Sequence, residues 1–176
     1  GGLDGLTRLR NRRRARGVSR EELARSRKGA EQLGRLGEEI LNAWFEAQHQ
    51  IGNGPECCWD SDTNAVAPYD FTLMSEGNPA RRVDAKSTSG DFRNPIHVSL
   101  SELIEMARGD LPYDIYRLYT VTDDSARLRV ANDLREFASR VLDAISDLPE
   151  GVSIDSVSIN PDKLAFGDEI IIDLSK

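Results

Sequence analysis

Two aspartates and a lysine are spaced to do chemistry together. In the stretch Pro68 to Thr88, PYDFTLMSEGNPARRVDAKST, Asp70 and Asp84 lie seven residues on either side of Gly77. Tyr69 to Met74 and Arg82 to Lys86 read as strands, and Ser75 to Pro79 between them is a cluster of turn-forming residues. A hairpin turning near Gly77 sets the two carboxylates side by side. Asp84 and Lys86 are two residues apart, so they project from the same face of a strand. Two adjacent carboxylates repel and burial raises their pKa, penalties that a divalent cation relieves. Mg²⁺ takes hard oxygen ligands and keeps some of its water. It can acidify a water and stabilise charge on a phosphate under attack, with Lys86 supporting the developing charge. That chemistry is metal-assisted phosphodiester hydrolysis. Glu38, on a preceding helix, is the third acid available to complete the ligand set. The spacing also fits plainer roles: a surface Asp84/Lys86 ion pair, worth about 0–1 kcal/mol, and Asp70 as a turn cap after Pro68.

The elements that must position these groups are legible in outline. Ser19-Arg20-Glu21-Glu22 is a capping box and predicts a helix start. Gly29 and Gly34 weaken that helix by about 1 kcal/mol each relative to Ala. Leu33, Leu36, Ile40, Leu41, Trp44 and Phe45 then form one apolar stripe. Cys57 to Asp60 reads as a short strand and Ile96 to Val98 as another. Ser99-Leu100-Ser101-Glu102 is a second capping box, opening a helix to about Arg108 with Leu103, Ile104, Met106 and Ala107 inward. Tyr113 to Thr122 has the composition of a central strand, with Ala126 to Val130 returning. Asp133 to Leu148 reads as an amphipathic helix with Leu134, Phe137, Val141, Leu142 and Ile145 inward. Val152 to Ile159 and Ile170 to Ile172 read as strands. Helices mixed with hairpins point to an α/β fold on a mixed sheet.

Length and charge set the frame. The chain has 176 residues and a net charge of −7. Residues 1–35 hold eleven Lys/Arg against four Asp/Glu, a net +7, which leaves −14 on the rest. A basic arm over residues 1–18, with Arg12, Arg13, Arg14 and Arg16 as candidate phosphate contacts, therefore precedes an acidic domain over 19–176. The arm fits equally a solvated linker from an upstream domain. The chain opens Gly1-Gly2 without Met, as a piece of a longer protein would. There is no apolar run of the roughly 20 residues that a membrane span needs, and no secretory leader. Cys57 and Cys58 are the only cysteines and read as buried free thiols, which suits a reducing cytoplasm. HExxH, GxSxG and GxxxxGK[ST] motifs are all absent.

Asp70, then Asp84-Ala85-Lys86 across a hairpin, preceded by a helix with Glu38, resembles the PD-(D/E)XK nuclease pattern of restriction-endonuclease-like proteins. Gly34-Arg35-Leu36-Gly37-Glu38-Glu39, Pro68-Tyr69-Asp70-Phe71, Val83-Asp84-Ala85-Lys86-Ser87-Thr88, Val98-Ser99-Leu100-Ser101-Glu102 and Tyr113 to Tyr119 come in the order of its NO VEIN C-terminal-like branch. The resemblance covers about residues 30–130, with 131–176 a C-terminal addition of a helix and strands. It implies an α-β-β-β-α-β core, with Asp70, Asp84 and Glu38 as Mg²⁺ ligands (Mn²⁺ substituting) and Lys86 as catalytic lysine. Glu38 is preferred to Glu39 because it directly follows Gly37. The branch more often has Glu where this chain has Asp84, and the shorter side chain shifts the metal. The implied activity is DNA hydrolysis within a larger prokaryotic restriction or defence protein, cytoplasmic, with no membrane partner and a homodimer left open. The alternative is a catalytically inactive nucleic-acid-binding or protein-interaction module on the same fold. His97 reads as structural or as a contact beside the site, Ser99 and Glu102 as a helix cap, and Tyr69, Tyr113, Trp44 and Trp59 as core.

Overall fold

The computed structural model describes residues 20–175. Ser19 and the arm arginines Arg12, Arg13, Arg14 and Arg16 lie outside the described residues. The chain divides into two units, residues 1–32 and 33–176. Residues 20–32 of the first are helical. The second unit carries all the chemistry considered below.

Its elements follow from local sequence signals. Helix α1 (Arg20–Gln50) presents the predicted stripe: Ile40, Leu41 and Phe45 are buried, and Leu33, Leu36 and Trp44 pack against the same core. Strands β1 (Cys57–Trp59), β2 (Phe71–Ser75), β3 (Asn78–Ser87) and β4 (Ile96–Ser99) follow. Helix α2 (Leu100–Arg108) starts at the predicted capping box, with both reciprocal bonds between Ser99 and Glu102 formed. After it come β5 (Tyr113–Tyr119), β6 (Ser125–Ala131), α3 (Arg135–Ile145), β7 (Ser156–Ile159), a 3₁₀ turn (Pro161–Lys163) and β8 (Ile170–Asp173). No helix among the described residues is long and apolar enough to cross a membrane.

The fold is mixed α/β. Six strands form one sheet in the order β1-β2-β3-β5-β6-β8, and β3–β5 is its parallel pair. The link from β3 to β5 runs through β4 and α2, as a parallel connection requires a crossover. Strand β4 does not join that sheet. It pairs antiparallel with β7 in a separate two-stranded sheet. Apolar residues on alternate strand positions split the core into two layers. Phe71, Val83 and Leu118 pack with α1, while Tyr113 and Ile115 pack with Leu103 and Met106 of α2 and Ala138 of α3. Because Val83 faces α1, its neighbour Asp84 faces the α2 side, and so does Lys86.

Some expectations are corrected. Ile104 is not inward; it is 41% exposed. Cys58 is exposed rather than buried, and Cys57 is half-buried. Helix α3 begins later than Asp133, because that residue has φ +44° and its N–H is donated to the Asp114 carboxylate at 2.8 Å. Asp114 is 1% exposed and also accepts two bonds from Arg81, at 2.6 and 2.7 Å. Three donors thus satisfy a buried charge. Asp114→Ala removes their acceptor, although Arg81 retains partial access to water. We expect a loss of about 2 kcal/mol, read as a lower urea midpoint at unchanged slope.

Candidate active site

The two aspartates meet because of a compensated register. Glu76 and Gly77 have φ +51° and +77°, forming a two-residue hairpin loop between the paired Ser75 and Asn78. That loop alone would set Asp70 opposite Val83. A β-bulge intervenes: Met74 pairs Pro79, but Leu73 pairs Arg81, so Ala80 is the extra residue. Beyond it Phe71 pairs Val83, which brings Asp70 level with Asp84. Symmetry about Gly77 is therefore reached through a turn centred half a residue early and a bulge that makes up the difference. A one-residue slip would have moved one carboxylate to the other face.

Asp70 is fixed on every side. Its carbonyl accepts from the amides of Asp60 and Ser61 at 2.8 and 3.1 Å, and its own amide donates to Val83 O at 2.9 Å. Its Oδ2 accepts from the Ala85 amide at 2.7 Å. Asp84 is only 2% exposed. Burial pushes both carboxyls above the usual range. The charge of Glu38 adds to this at Asp70, and at Asp84 the opposing pull of Lys86 does not cancel burial reinforced by Glu102 and Asp70.

Lys86 Nζ stands 2.8 Å from Asp84 Oδ2 and 2.9 Å from Glu102 Oε1. Lys86 thus bridges two carboxylates, bonded to Glu102 and ion-paired with the buried Oδ2 of Asp84. Burial works against the ammonium charge, but Asp84 and Glu102 outweigh it and hold Lys86 above its usual pKa. Lys86 is therefore a cation at neutral pH, suited to stabilising negative charge and not to accepting a proton.

Glu38 is held by two neighbours. Its Oε2 accepts from Trp59 Nε1 at 3.0 Å and Ser61 Oγ at 2.6 Å. Trp59 packs against the core as expected, but its indole N–H also serves Glu38, and Arg35 lies 4.2 Å over its ring. Glu38 acts on Asp70 through its charge. Among the described residues no group of three or more His, Cys, Asp or Glu is arranged to hold a metal ion. The chain matches no protein-family model, no curated protein and no solved structure.

A divalent cation nevertheless has suitable donors here. Mg²⁺ is commonly held by one or two carboxylates and several waters, and the carboxylates of Asp70 and Asp84 supply two hard-oxygen groups. Asp70, Asp84 and Lys86 are thus brought together, and Glu38 is held nearby by Trp59 and Ser61. Two neighbours escaped the reading of the sequence. Glu102 was legible only as a cap, which it is, yet its second oxygen reaches Lys86. Arg117, 2% exposed, pairs Lys86 in the sheet register and donates to Lys86 O at 3.1 Å and Asn94 O at 2.8 Å. Burial pushes its guanidinium down to about 10, against the pull of Asp91. An arginine inside a central strand of mostly aromatic and aliphatic residues was the available signal. His97 is exposed on β4. Tyr113 is core, its hydroxyl donating to Pro68 O at 2.6 Å two residues before Asp70.

Proposed function

We propose that this chain is a divalent-metal-dependent nuclease domain of the PD-(D/E)XK type, on a restriction-endonuclease-like core, hydrolysing DNA phosphodiester bonds. The observation that carries the proposal is the meeting of Asp70, just before β2, with Asp84 and Lys86 on one face of β3, Asp84 being buried and Lys86 charged. Asp70 and Asp84 would hold Mg²⁺ or Mn²⁺, with Glu38 contributing charge or a water-mediated contact. The cation would supply an acidified water and Lewis-acid stabilisation. The chain's own residues do the rest: Ala85 N–H orients Asp70, and the Lys86 ammonium supports charge developing on the phosphate. A cytoplasmic home within a larger prokaryotic defence protein accords with the resemblance of the motifs.

The test is incubation of the chain with plasmid, linear and single-stranded DNA in Mg²⁺ or Mn²⁺. Cleavage should appear and be lost in Asp84→Ala and in Lys86→Ala. Cleavage that survives both substitutions rules this site out as its source. A second reading is a binding module that does not cut, favoured by the basic residues 1–35 beside an acidic remainder. It predicts salt-sensitive DNA binding that Asp84→Ala leaves unchanged and deletion of residues 1–17 removes.

A further inference from the structure

We propose that Glu102 is a positioning residue that receives Lys86 when a divalent cation takes Asp70 and Asp84. The proposal rests on the metal-dependent reading above and adds the device that would open the site to the cation. An ammonium and a divalent cation at Asp84 Oδ2 repel each other, so a cation bound there favours movement of Lys86 away from that oxygen. The displaced ammonium remains largely buried and needs an anionic acceptor. Glu102 Oε1 is already 2.9 Å away and hydrogen-bonded to it, alongside a contact to Asp84 Oδ2 of 2.8 Å. Lys86 can therefore leave Asp84 without losing its bonded partner.

Glu102 is held from behind for this task. Its Oε2 accepts from the Ser99 amide at 2.6 Å, and its own amide donates to Ser99 Oγ at 3.2 Å. Both bonds belong to the start of α2, so the receiving oxygen is fixed by the helix cap and no movement of α2 is needed. The capping box thus does two jobs: it terminates a helix and anchors the counter-ion of the lysine.

Glu102→Gln separates the two. Gln keeps an oxygen for the Ser99 amide and suits a capping box as well as Glu does, but it carries no charge for Lys86. Calorimetric titration of Mg²⁺ and Mn²⁺ into the full chain compares wild type, Glu102→Gln, Lys86→Met and the double variant, each checked for folding by circular dichroism. Lys86→Gln replaces Lys86→Met if the latter does not fold. Glu102→Gln is expected to weaken cation binding by about fivefold or more, since Lys86 is left with Asp84 alone. Lys86→Met should bind more tightly than wild type, and in its background Glu102→Gln should change affinity by less than about twofold. Equal weakening in both backgrounds, as a plain through-space charge effect gives, overturns the proposal and leaves the metal reading standing. So does unchanged or tighter binding by Glu102→Gln. A wild-type chain that binds neither cation overturns both.

Discussion

Asp70→Asn is expected to abolish cleavage and, at neutral pH, to make the protein more stable. The substitution conserves volume, and the Asn amide oxygen can still accept from the Ala85 amide as Asp70 Oδ2 does. What disappears is a negative charge that burial and Glu38 both oppose. A folded-state pKa raised above the unfolded one means that the native state binds the proton more tightly. The group's contribution to stability is then complete below the unfolded value of about 4 and is lost as pH rises through the raised folded value. At pH 7 the wild type has lost it, whereas the Asn variant never depended on it. We expect a gain of about 0.5–2 kcal/mol, or about 1–8 °C in Tm for a chain of this size. Thermal scans in chelator from pH 4 to 8 should show the gap opening as pH rises. If the wild type is the more stable at pH 7, Asp70 is not held against its preference. The loss of cleavage should be about 10³-fold or more, because an interaction worth several kcal/mol in the transition state has gone. A variant that gains stability while losing activity marks a site whose charge is kept for function.

Why the aspartate pair was readable and its supports were not follows from the range of each interaction. The spacing of Asp70 and Asp84 about Gly77 is local, and so is the apolar stripe of α1. The route that aligns the aspartates is less visible. Glu76 is not a residue type that advertises positive φ, and the extra residue Ala80 becomes a bulge only once β2 and β3 have paired. Pairing between distant segments is hidden for the same reason: the alternation in Ile96 to Val98 marks a strand but does not name β7 as its partner. The Ser99 to Glu102 motif reads as complete in itself, because its reciprocal bonds use only the helix start; the bond from Glu102 to Lys86 spans two elements. Trp59 looks like any core aromatic until its N–H is found on Glu38. The start of α3 moved because Asp114, nineteen residues earlier, takes the Asp133 amide. In each case a tertiary partner decided what the local pattern left open.

Gly37 sets how closely α1 can approach β3, and Gly37→Val is expected to damage both stability and the candidate site. A Cβ at this position would stand 1.8 Å from Ser87 Oγ and 2.7 Å from Ser87 Cβ. Rotating the serine moves Oγ but not Cβ, so the strand or the helix must give way. Ser87 follows Lys86 on β3, and Glu38 follows Gly37 on α1; forcing the two elements apart therefore displaces both members of the site at once. Overpacking of this kind, with a β-branched residue in a helix, should cost about 3 kcal/mol or more. Gly34, one turn earlier, has nothing within 4 Å of its built Cβ, and Gly34→Ala should instead gain about 0.5–1 kcal/mol from helix propensity and a less flexible unfolded chain. Urea unfolding of the pair tests the contrast directly. Tryptophan fluorescence supplies a second readout, since the Trp59 indole bonded to Glu38 should report the displaced helix in Gly37→Val and stay unchanged in Gly34→Ala. A Gly37→Val protein with wild-type stability and fluorescence would mean that α1 and β3 do not approach this closely in solution, and Glu38 would then lose its claim to act on Asp70.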